Sequence, residues 1–228
     1  MLISEIYQSR QGEGLLTGTP SIFVRTSGCN LRCSFCDTPF TSWEPDGSKM
    51  TVAEIMDATS KYDAGHVVIT GGEPAIQREL GELCAEFNQA GIHITIETAG
   101  TVELEVACDL MSISPKLRNS TPSVDRAGGW SRKHEQSRKR PDVLNQLMSA
   151  YEHQLKYVVS HPDDLAEIVQ QLESLDGYDP ARVLLMPEGI QQSDLEEKET
   201  WLRPLCAEYG FVFCPRLHIL WYGNKRGT

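Results

Sequence analysis

The 228-residue sequence lacks any run of about 20 consecutive apolar residues, the length that a membrane-spanning helix requires. It also lacks a basic amino-terminal segment followed by an apolar stretch, because Met1 is followed by Leu2, Ile3, Ser4 and Glu5. A secretory signal consists of such a basic segment followed by an apolar stretch. The two absences predict a cytoplasmic protein that does not act at a membrane.

Basic residues are scarce, since 21 lysines and arginines stand against 32 aspartates and glutamates, for a formal net charge of −11. Proteins that bind nucleic acid need a basic surface to neutralise phosphates. The charge balance therefore predicts no nucleic-acid partner. The absence of a secretory signal also means that the seven cysteines fit a reducing compartment better than a disulfide framework.

Three of the cysteines lie within eight residues, in the pattern Cys29-x₃-Cys33-x₂-Cys36. Clustered thiolates select zinc or iron–sulfur centres. Structural zinc sites are almost always closed by four ligands, whereas a four-iron cluster held by three thiolates keeps one iron free for a small molecule. The spacing favours a [4Fe–4S] cluster. The alternative is a zinc site whose fourth ligand is distant, with His66, His93 or another cysteine as candidates.

The remaining cysteines are scattered, and we interpret each as a small buried hydrophobic residue. They are Cys84, Cys108, Cys206 and Cys214.

Two glycine-rich segments and one arginine also stand out. Gln11-Gly12-Glu13-Gly14 follows a short strand, and taken alone it is no more than a turn. Thr70-Gly71-Gly72-Glu73-Pro74 joins an apolar strand to a helix, an arrangement that directs backbone amides toward a ligand. Arg25 lies within a β-rich run and needs either a carboxylate of the fold or an anionic ligand as its partner.

Strand and helix patterns alternate from residue 51 to the end, which predicts parallel strands joined by right-handed crossovers. Thr51 and Glu54 form a capping box before the first helix, and Ser193 and Glu196 form a second. The chain reads as one α/β domain over residues 1–228, a partial β/α barrel of about six mainly parallel strands that stays open on one side. Expected strands cover residues 21–26, 66–70, 92–98, 110–113, 154–159, 182–186, 211–213 and 217–220. Expected helices cover residues 52–60, 74–89, 142–151, 161–175 and 193–209.

Residues 118–140 differ from the rest of the chain because seven basic residues face only two acids. With Pro122, Gly128 and Gly129 the segment is predicted to be a long basic loop inserted into the domain. It is either a solvated insertion or a docking surface for an acidic partner. The basic residues are Arg118, Arg126, Arg132, Lys133, Arg138, Lys139 and Arg140.

Together these motifs resemble the 7-carboxy-7-deazaguanine synthase family of radical S-adenosylmethionine (SAM) enzymes. Besides the cysteines, the resemblance rests on the Gln-Gly-Glu-Gly loop, Arg25, Asp37-Thr38, the Gly-Gly-Glu-Pro turn, Ser114-Pro115-Lys116 and the tail that begins at Arg216. It covers nearly the whole chain except residues 118–140.

The resemblance implies a reaction and its cofactors. Cys29, Cys33 and Cys36 would hold the cluster, whose open iron binds SAM. One electron, from reduced flavodoxin or ferredoxin, would cleave SAM to methionine and a deoxyadenosyl radical. The radical would take a hydrogen from 6-carboxy-5,6,7,8-tetrahydropterin, which rearranges to 7-carboxy-7-deazaguanine and loses ammonia. A homodimer is also implied.

The resemblance also assigns residues to each ligand. Thr38 resembles the family's magnesium ligand, although its hydroxyl could instead cap the loop. The expected SAM contacts are Phe35, Cys36, Asp37, Gly72, Glu73, Ser114, Pro115, Lys116, Met186, Pro187, Glu188 and Gly189. The expected substrate contacts are Arg10, Gln11, Gly12, Glu13, Arg25, Thr70 and His218.

Two other functions stay open at the level of sequence. One is another small radical SAM enzyme, such as an activase for glycyl-radical proteins, although such enzymes often carry extra cysteine clusters. The other is a zinc-binding module without catalytic activity.

Overall fold

Alternating apolar residues build one sheet in the computed structural model, which describes residues 1–228. The strands are β1 (Leu2–Arg10), β2 (Pro20–Thr26), β3 (Ser48–Lys49), β4 (His66–Gly71), β5 (His93–Thr98), β6 (Leu110–Ile113), β7 (His153–Val159), β8 (Val183–Pro187) and β9 (Val212–Phe213). The helices are α1 (Pro39–Ser42), α2 (Val52–Ser60), α3 (Leu80–Gln89), α4 (Val124–Ala127), α5 (Gly129–Ser137), α6 (Pro141–Ala150), α7 (Asp164–Glu173), α8 (Gln192–Tyr209) and α9 (Leu217–Tyr222).

The sheet has the order β3-β1-β2-β4-β5-β6-β7-β8-β9. Strands β1 and β2 are antiparallel, and each pair from β2 to β9 is parallel. The two edge strands do not pair with each other, so the sheet stays open. The predicted open α/β fold is confirmed. The six longer parallel strands match the expected number, and the β1 hairpin and two short strands extend them.

The two faces of the sheet differ in chemistry because side chains alternate along each strand. In β7, Leu155, Tyr157 and Val159 belong to the main hydrophobic core. Lys156, which lies between them in sequence, projects into a cavity on the opposite face. The helices therefore cover the apolar face, while the polar face is available for chemistry.

Two local predictions at the carboxyl end are wrong. Residues 217–220 belong to helix α9 instead of a strand. Helix α8 begins after Gln191 without a side-chain cap, so the second capping box does not form. The first does form, with reciprocal bonds between Thr51 and Glu54.

No helix combines the length and apolar character needed to span a membrane.

The basic segment is helical, which corrects the prediction of a long loop. It contains helices α4 and α5, and Ser123 caps α4 by accepting a hydrogen bond from the Arg126 amide. His134 in α5 and Arg138 at its C-cap position are buried on the same side. They lie four residues apart, so a polar pair takes the place usually held by apolar residues.

Candidate active site

A cavity of about 510 Å³ opens at the carboxyl ends of the parallel strands. Ligand sites in open α/β sheets lie at this edge, and the volume suits small-molecule ligands. Most of the expected site residues line it. They are Arg10, Gln11, Gly12, Glu13, Arg25, Cys29, Cys33, Phe35, Cys36, Asp37, Thr38, Thr70, Gly72, Ser114, Lys116, Met186, Glu188, Gly189 and His218.

Three expected SAM contacts do not line the cavity. Pro115 and Pro187 are buried in the fold. Glu73 is fully buried, and its carboxylate accepts hydrogen bonds from the Thr98 hydroxyl and the Ala99 amide, each at 2.8 Å. Burial raises the pKa of Glu73, while these hydrogen bonds oppose the shift. The Glu73 side chain therefore supports the end of β5 instead of reaching a ligand.

All three motif thiols line the cavity. Burial is the main cause that raises the pKa of Cys29 to about 12 and that of Cys33 to about 11, and the neighbouring thiols raise both further. No three histidine, cysteine or carboxylate side chains are gathered into a preformed metal-ion site. Thiolates that repel one another in a buried cavity gain most from a bound cationic centre. The donor set therefore fits an iron–sulfur cluster.

The Gly-Gly turn after β4 packs directly against the residue that precedes the first cysteine. A Cβ atom on Gly72 would lie 2.1 Å from the carbonyl oxygen of Gly28. That carbonyl accepts a hydrogen bond from the Glu73 amide at 2.9 Å. Only glycine fits at position 72, and the close approach brings the Gly-Gly turn into direct contact with the cysteine motif.

A second close approach brings the tail to the amino-terminal loop. The Leu217 amide donates to the Gly12 carbonyl at 3.0 Å, and a Cβ on Gly12 would lie 2.6 Å from His218. The glycine at position 12 therefore allows His218 to enter the cavity wall.

Buried charges on this wall form one network around Glu13. Its carboxylate pairs with Lys156 and, at 3.1 Å, with Arg216. Burial opposes ionisation of Glu13, but the charges of Lys156 and Arg216 outweigh it and lower the pKa. Arg216 also pairs with Asp37, and Lys156 lies 3.6 Å from Glu97. The pKa values of Glu13 and Asp37 are both lowered, so these two acids remain ionised, and three carboxylates share two cations inside the cavity.

Arg25 has a carboxylate partner within the fold, which is one of the two kinds of partner that the sequence left open. Its Nε donates to Glu5 and one terminal nitrogen donates to the Tyr7 hydroxyl, both at 2.7 Å. The second terminal nitrogen has no hydrogen-bond partner. Glu5 therefore already binds one edge of the guanidinium group. An anion in the cavity can bind only the terminal nitrogen that has no partner.

Two polar side chains in the cavity have little internal hydrogen bonding. Thr38 is at the N-cap position of α1, yet its side chain makes no capping hydrogen bond. The Lys116 ammonium donates to the Ser114 hydroxyl at 2.7 Å and forms no salt bridge. Both groups are available to a ligand.

Sequence reasoning missed Glu97, Lys156 and the specific role of Arg216. The Glu97 carboxylate accepts a hydrogen bond from the Thr70 hydroxyl at 2.7 Å and one from the Gln11 amide group at 3.3 Å. Glu97 and Lys156 are charged residues within otherwise apolar strands, a signal that could have identified both. No local pattern reveals the Arg216 pairs, because their partners lie 179 and 203 residues away along the chain.

Comparison with known proteins gives consistent results. Residues 23–126 match the model of the radical SAM superfamily. A 7-carboxy-7-deazaguanine synthase from Rhodopirellula baltica is 46% identical over 229 aligned residues, covering 100% of this chain and 89% of the relative. One from Halobacterium salinarum is 42% identical, covering 96% and 90%.

Solved structures show the same fold. The crystal structure of QueE from Escherichia coli superposes with a TM-score of 0.71 at 24% identity, covering 94% of this chain and 92% of that one. Streptococcus suis SuiB bound to S-adenosylmethionine gives a TM-score of 0.54 at 13% identity, covering 86% of this chain and 53% of the other.

Proposed function

The chain belongs to the 7-carboxy-7-deazaguanine synthase family of radical SAM enzymes, and we propose that its cavity converts 6-carboxy-5,6,7,8-tetrahydropterin to 7-carboxy-7-deazaguanine with loss of ammonia. It is an enzyme of 7-deazapurine biosynthesis, as the sequence resemblance implied. The observation that carries the proposed reaction is the convergence of three thiols, a charged network and the Gly-Gly turn on one cavity.

Cys29, Cys33 and Cys36 would hold a four-iron cluster. When bound, the cluster and SAM supply the one-electron chemistry that starts the reaction. Lys116 would attract the carboxylate of SAM, because its ammonium faces the thiols without a salt-bridge partner of its own. Phe35, Gly72 and Met186 add uncharged cavity wall.

The charged network would orient the pterin. Glu13 and Glu97 offer carboxylate oxygens to the ring N–H groups. The charges of Lys156 and Arg216 keep Glu13 ionised, and Lys156 also lies beside Glu97. Arg25 would bind the substrate carboxylate, as expected from sequence. It would do so through the one terminal nitrogen that has no partner, and not through two nitrogens at once. Thr70, Gln11 and His218 complete the same wall.

We also propose a magnesium ion at Thr38. The support is a hydroxyl that lines the cavity and is not used for capping. Magnesium prefers oxygen ligands and keeps several waters, so one hydroxyl together with substrate oxygens suits it.

An anaerobic assay tests the proposed function. Reconstituted protein, dithionite, SAM and the pterin should yield 7-carboxy-7-deazaguanine and ammonia, with a higher rate when magnesium is present. Cys33→Ala should lose both the cluster absorbance and SAM cleavage. Thr38→Ala should retain SAM cleavage and lose the response to magnesium. Cluster-loaded protein that cleaves SAM but leaves the pterin unchanged would contradict the proposed substrate.

Three further properties belong to the proposal. The enzyme is cytoplasmic, it takes its electron from reduced flavodoxin or ferredoxin, and it forms a homodimer. Support for the dimer is the apolar surface of Leu220 and Trp221, which are 43% and 38% exposed on α9. Sedimentation of the parent and of Trp221→Ser would test whether this surface mediates association.

A further inference from the structure

The backbone between the cluster cysteines is bonded to a segment distant in sequence. We call residues 28–38 the cysteine loop and residues 118–140 the helical insert. Arg32 and Ser34 lie between cysteines, and their amides donate to His134 Nδ1 at 3.0 Å and to the Ser120 carbonyl at 2.8 Å. Neither amide bonds within its own loop.

His134 is held in one tautomer by its two partners. The Ser120 hydroxyl donates to the Leu117 carbonyl at 2.6 Å, so its oxygen accepts from His134 Nε2 at 3.0 Å. Nδ1 is thereby left as the acceptor for the Arg32 amide. The ring is fully buried, and burial lowers its pKa to about 4, so it is neutral near pH 7.

Aromatic contacts strengthen the same junction. The Arg32 guanidinium lies 4.0 Å from the centre of the Trp130 ring in the insert, and Arg126 lies 4.3 Å from the Trp43 ring. The Trp43 indole N–H donates to the Cys33 carbonyl at 3.0 Å. Backbone groups of the cysteine loop are thus held by the helical insert on one side and by Trp43 on the other.

The insert is itself anchored to the rest of the domain. Arg138 is buried and pairs with Glu135 at 2.7 Å and with Glu167 of α7 at 2.8 Å. It also donates to the Lys116 carbonyl at 3.0 Å. The insert is therefore a rigid support instead of a loose appendage.

We propose that His134 and Ser120 are positioning residues for cluster binding. They fix the backbone of the cysteine loop so that its three thiols face one cavity before iron and sulfide bind. The proposal rests on the cluster-binding role proposed above. It gives the basic segment a function within the site.

Amide hydrogen exchange of the cluster-free chain tests the proposal independently of activity. His134→Leu should exchange about tenfold faster at the Arg32 amide, which loses its acceptor, while the Ser34 amide keeps its bond to the Ser120 carbonyl. His134→Asn, which keeps an acceptor near Nδ1, should restore slow exchange at least in part. Gln136→Ala, an exposed change on the same helix, should match the parent.

Iron retention provides the second readout. After reconstitution, His134→Leu should release iron to a chelator about tenfold faster than the parent, with His134→Asn between the two. A folded His134→Leu with parent-like exchange and parent-like iron release would overturn the proposal.

Ser120→Ala serves if His134→Leu does not fold, because it removes the tautomer-fixing contact and leaves the ring in place. Parent-like exchange at the Arg32 amide in that variant would also overturn the proposal. A parent chain that takes up no iron would instead refute the proposed cluster, while the exchange measurement would still decide the positioning role.

Discussion

At the scale of single residues, Arg216 ties together three parts of the cavity wall. Its guanidinium bonds to Glu13 of the amino-terminal loop, to Asp37 of the cysteine loop and to the carbonyl of Gly189 after β8. The Arg216 side chain is only 6% exposed and that of Glu13 is 13% exposed, so their pair is largely shielded from water. Removing the arginine would leave Asp37 without its counter-charge and the buried Glu13 with Lys156 alone.

We therefore expect Arg216→Met to lower the free energy of unfolding by about 3–5 kcal/mol, the range for breaking a buried ion pair. Arg203→Met is the control, because Arg203 pairs with Glu199 at the surface and should cost at most about 1 kcal/mol. Urea unfolding of the metal-free proteins under reducing conditions gives both values. Equal losses of unfolding free energy in the two variants would show that the buried pairs of Arg216 stabilise the fold no more than a surface pair does.

At the scale of elements, the turn after β4 fixes the position of the cysteine loop by direct backbone contact. Gly72→Ala would force a methyl group against the Gly28 carbonyl, which no rotamer change can relieve. We expect a loss of about 1–3 kcal/mol, together with faster iron release.

Gly81→Ala is the matched control for this change. Gly81 lies within α3, and an added Cβ would meet only Val106 at 3.8 Å. Alanine favours helix over glycine, so this variant should gain about 0.5–1 kcal/mol. The prediction fails if both variants change stability in the same direction.

The elements also show how far sequence reasoning reaches. The parallel strands were predictable because their apolar runs end at turn residues, and the cysteine and Gly-Gly motifs were predictable from spacing. Helix α5 was not predictable, since its buried residue is His134 and its C-cap residue is the buried Arg138, and a search for apolar periodicity detects neither. Helix α9 was mistaken for a strand because Leu217–Leu220 is too short to distinguish the helical period of 3.6 residues from the strand period of two. The Glu13 and Arg216 pairs escaped because only the folded chain brings them together.

At the scale of the whole molecule, buried histidines make stability depend on pH. Burial lowers the pKa of His66 and of His134 to about 4, against an ordinary value of 6.5. Between these values the unfolded chain binds more protons than the folded one, so stability falls as the pH falls. We expect each histidine to contribute a loss of about 1–2 kcal/mol between pH 7 and pH 5.

Urea unfolding at the two pH values checks this expectation. His66→Gln should reduce the loss, whereas His161→Gln, at an exposed histidine, should leave it unchanged. The same loss in all three proteins would assign the pH dependence to other groups.

The distribution of charge over the molecule bears on the electron donor. Arg138 is buried and Arg140 pairs with Asp142, so neither is free to meet a partner. The exposed cations of the helical insert are Arg118, Arg126, Arg132, Lys133 and Lys139. In an acidic protein they form a concentrated basic surface beside the cysteine loop.

We expect the change of Arg132, Lys133 and Lys139 to glutamine to slow turnover driven by reduced flavodoxin at low salt, while leaving dithionite-driven turnover unchanged. The effect should fade near 0.15 M salt, where the Debye length is about 8 Å. A control that changes Lys49, Lys61 and Arg203 alters the net charge equally at other surfaces. Equal flavodoxin-driven rates in both triple variants would show that flavodoxin does not bind the basic surface of the helical insert.

The contacts of Arg216 also impose an order of events during protein synthesis. Glu13, Asp37 and the three cysteines leave the ribosome long before the arginine that neutralises both acids. Until then, Asp37 lacks its counter-charge, and its negative charge opposes the loss of a proton by the neighbouring Cys33 thiol, which must be deprotonated to bind iron. We expect a chain that stops at Cys214 to take up iron more slowly than the full chain. Cluster assembly would then be a late step of biogenesis, which follows the folding of the tail.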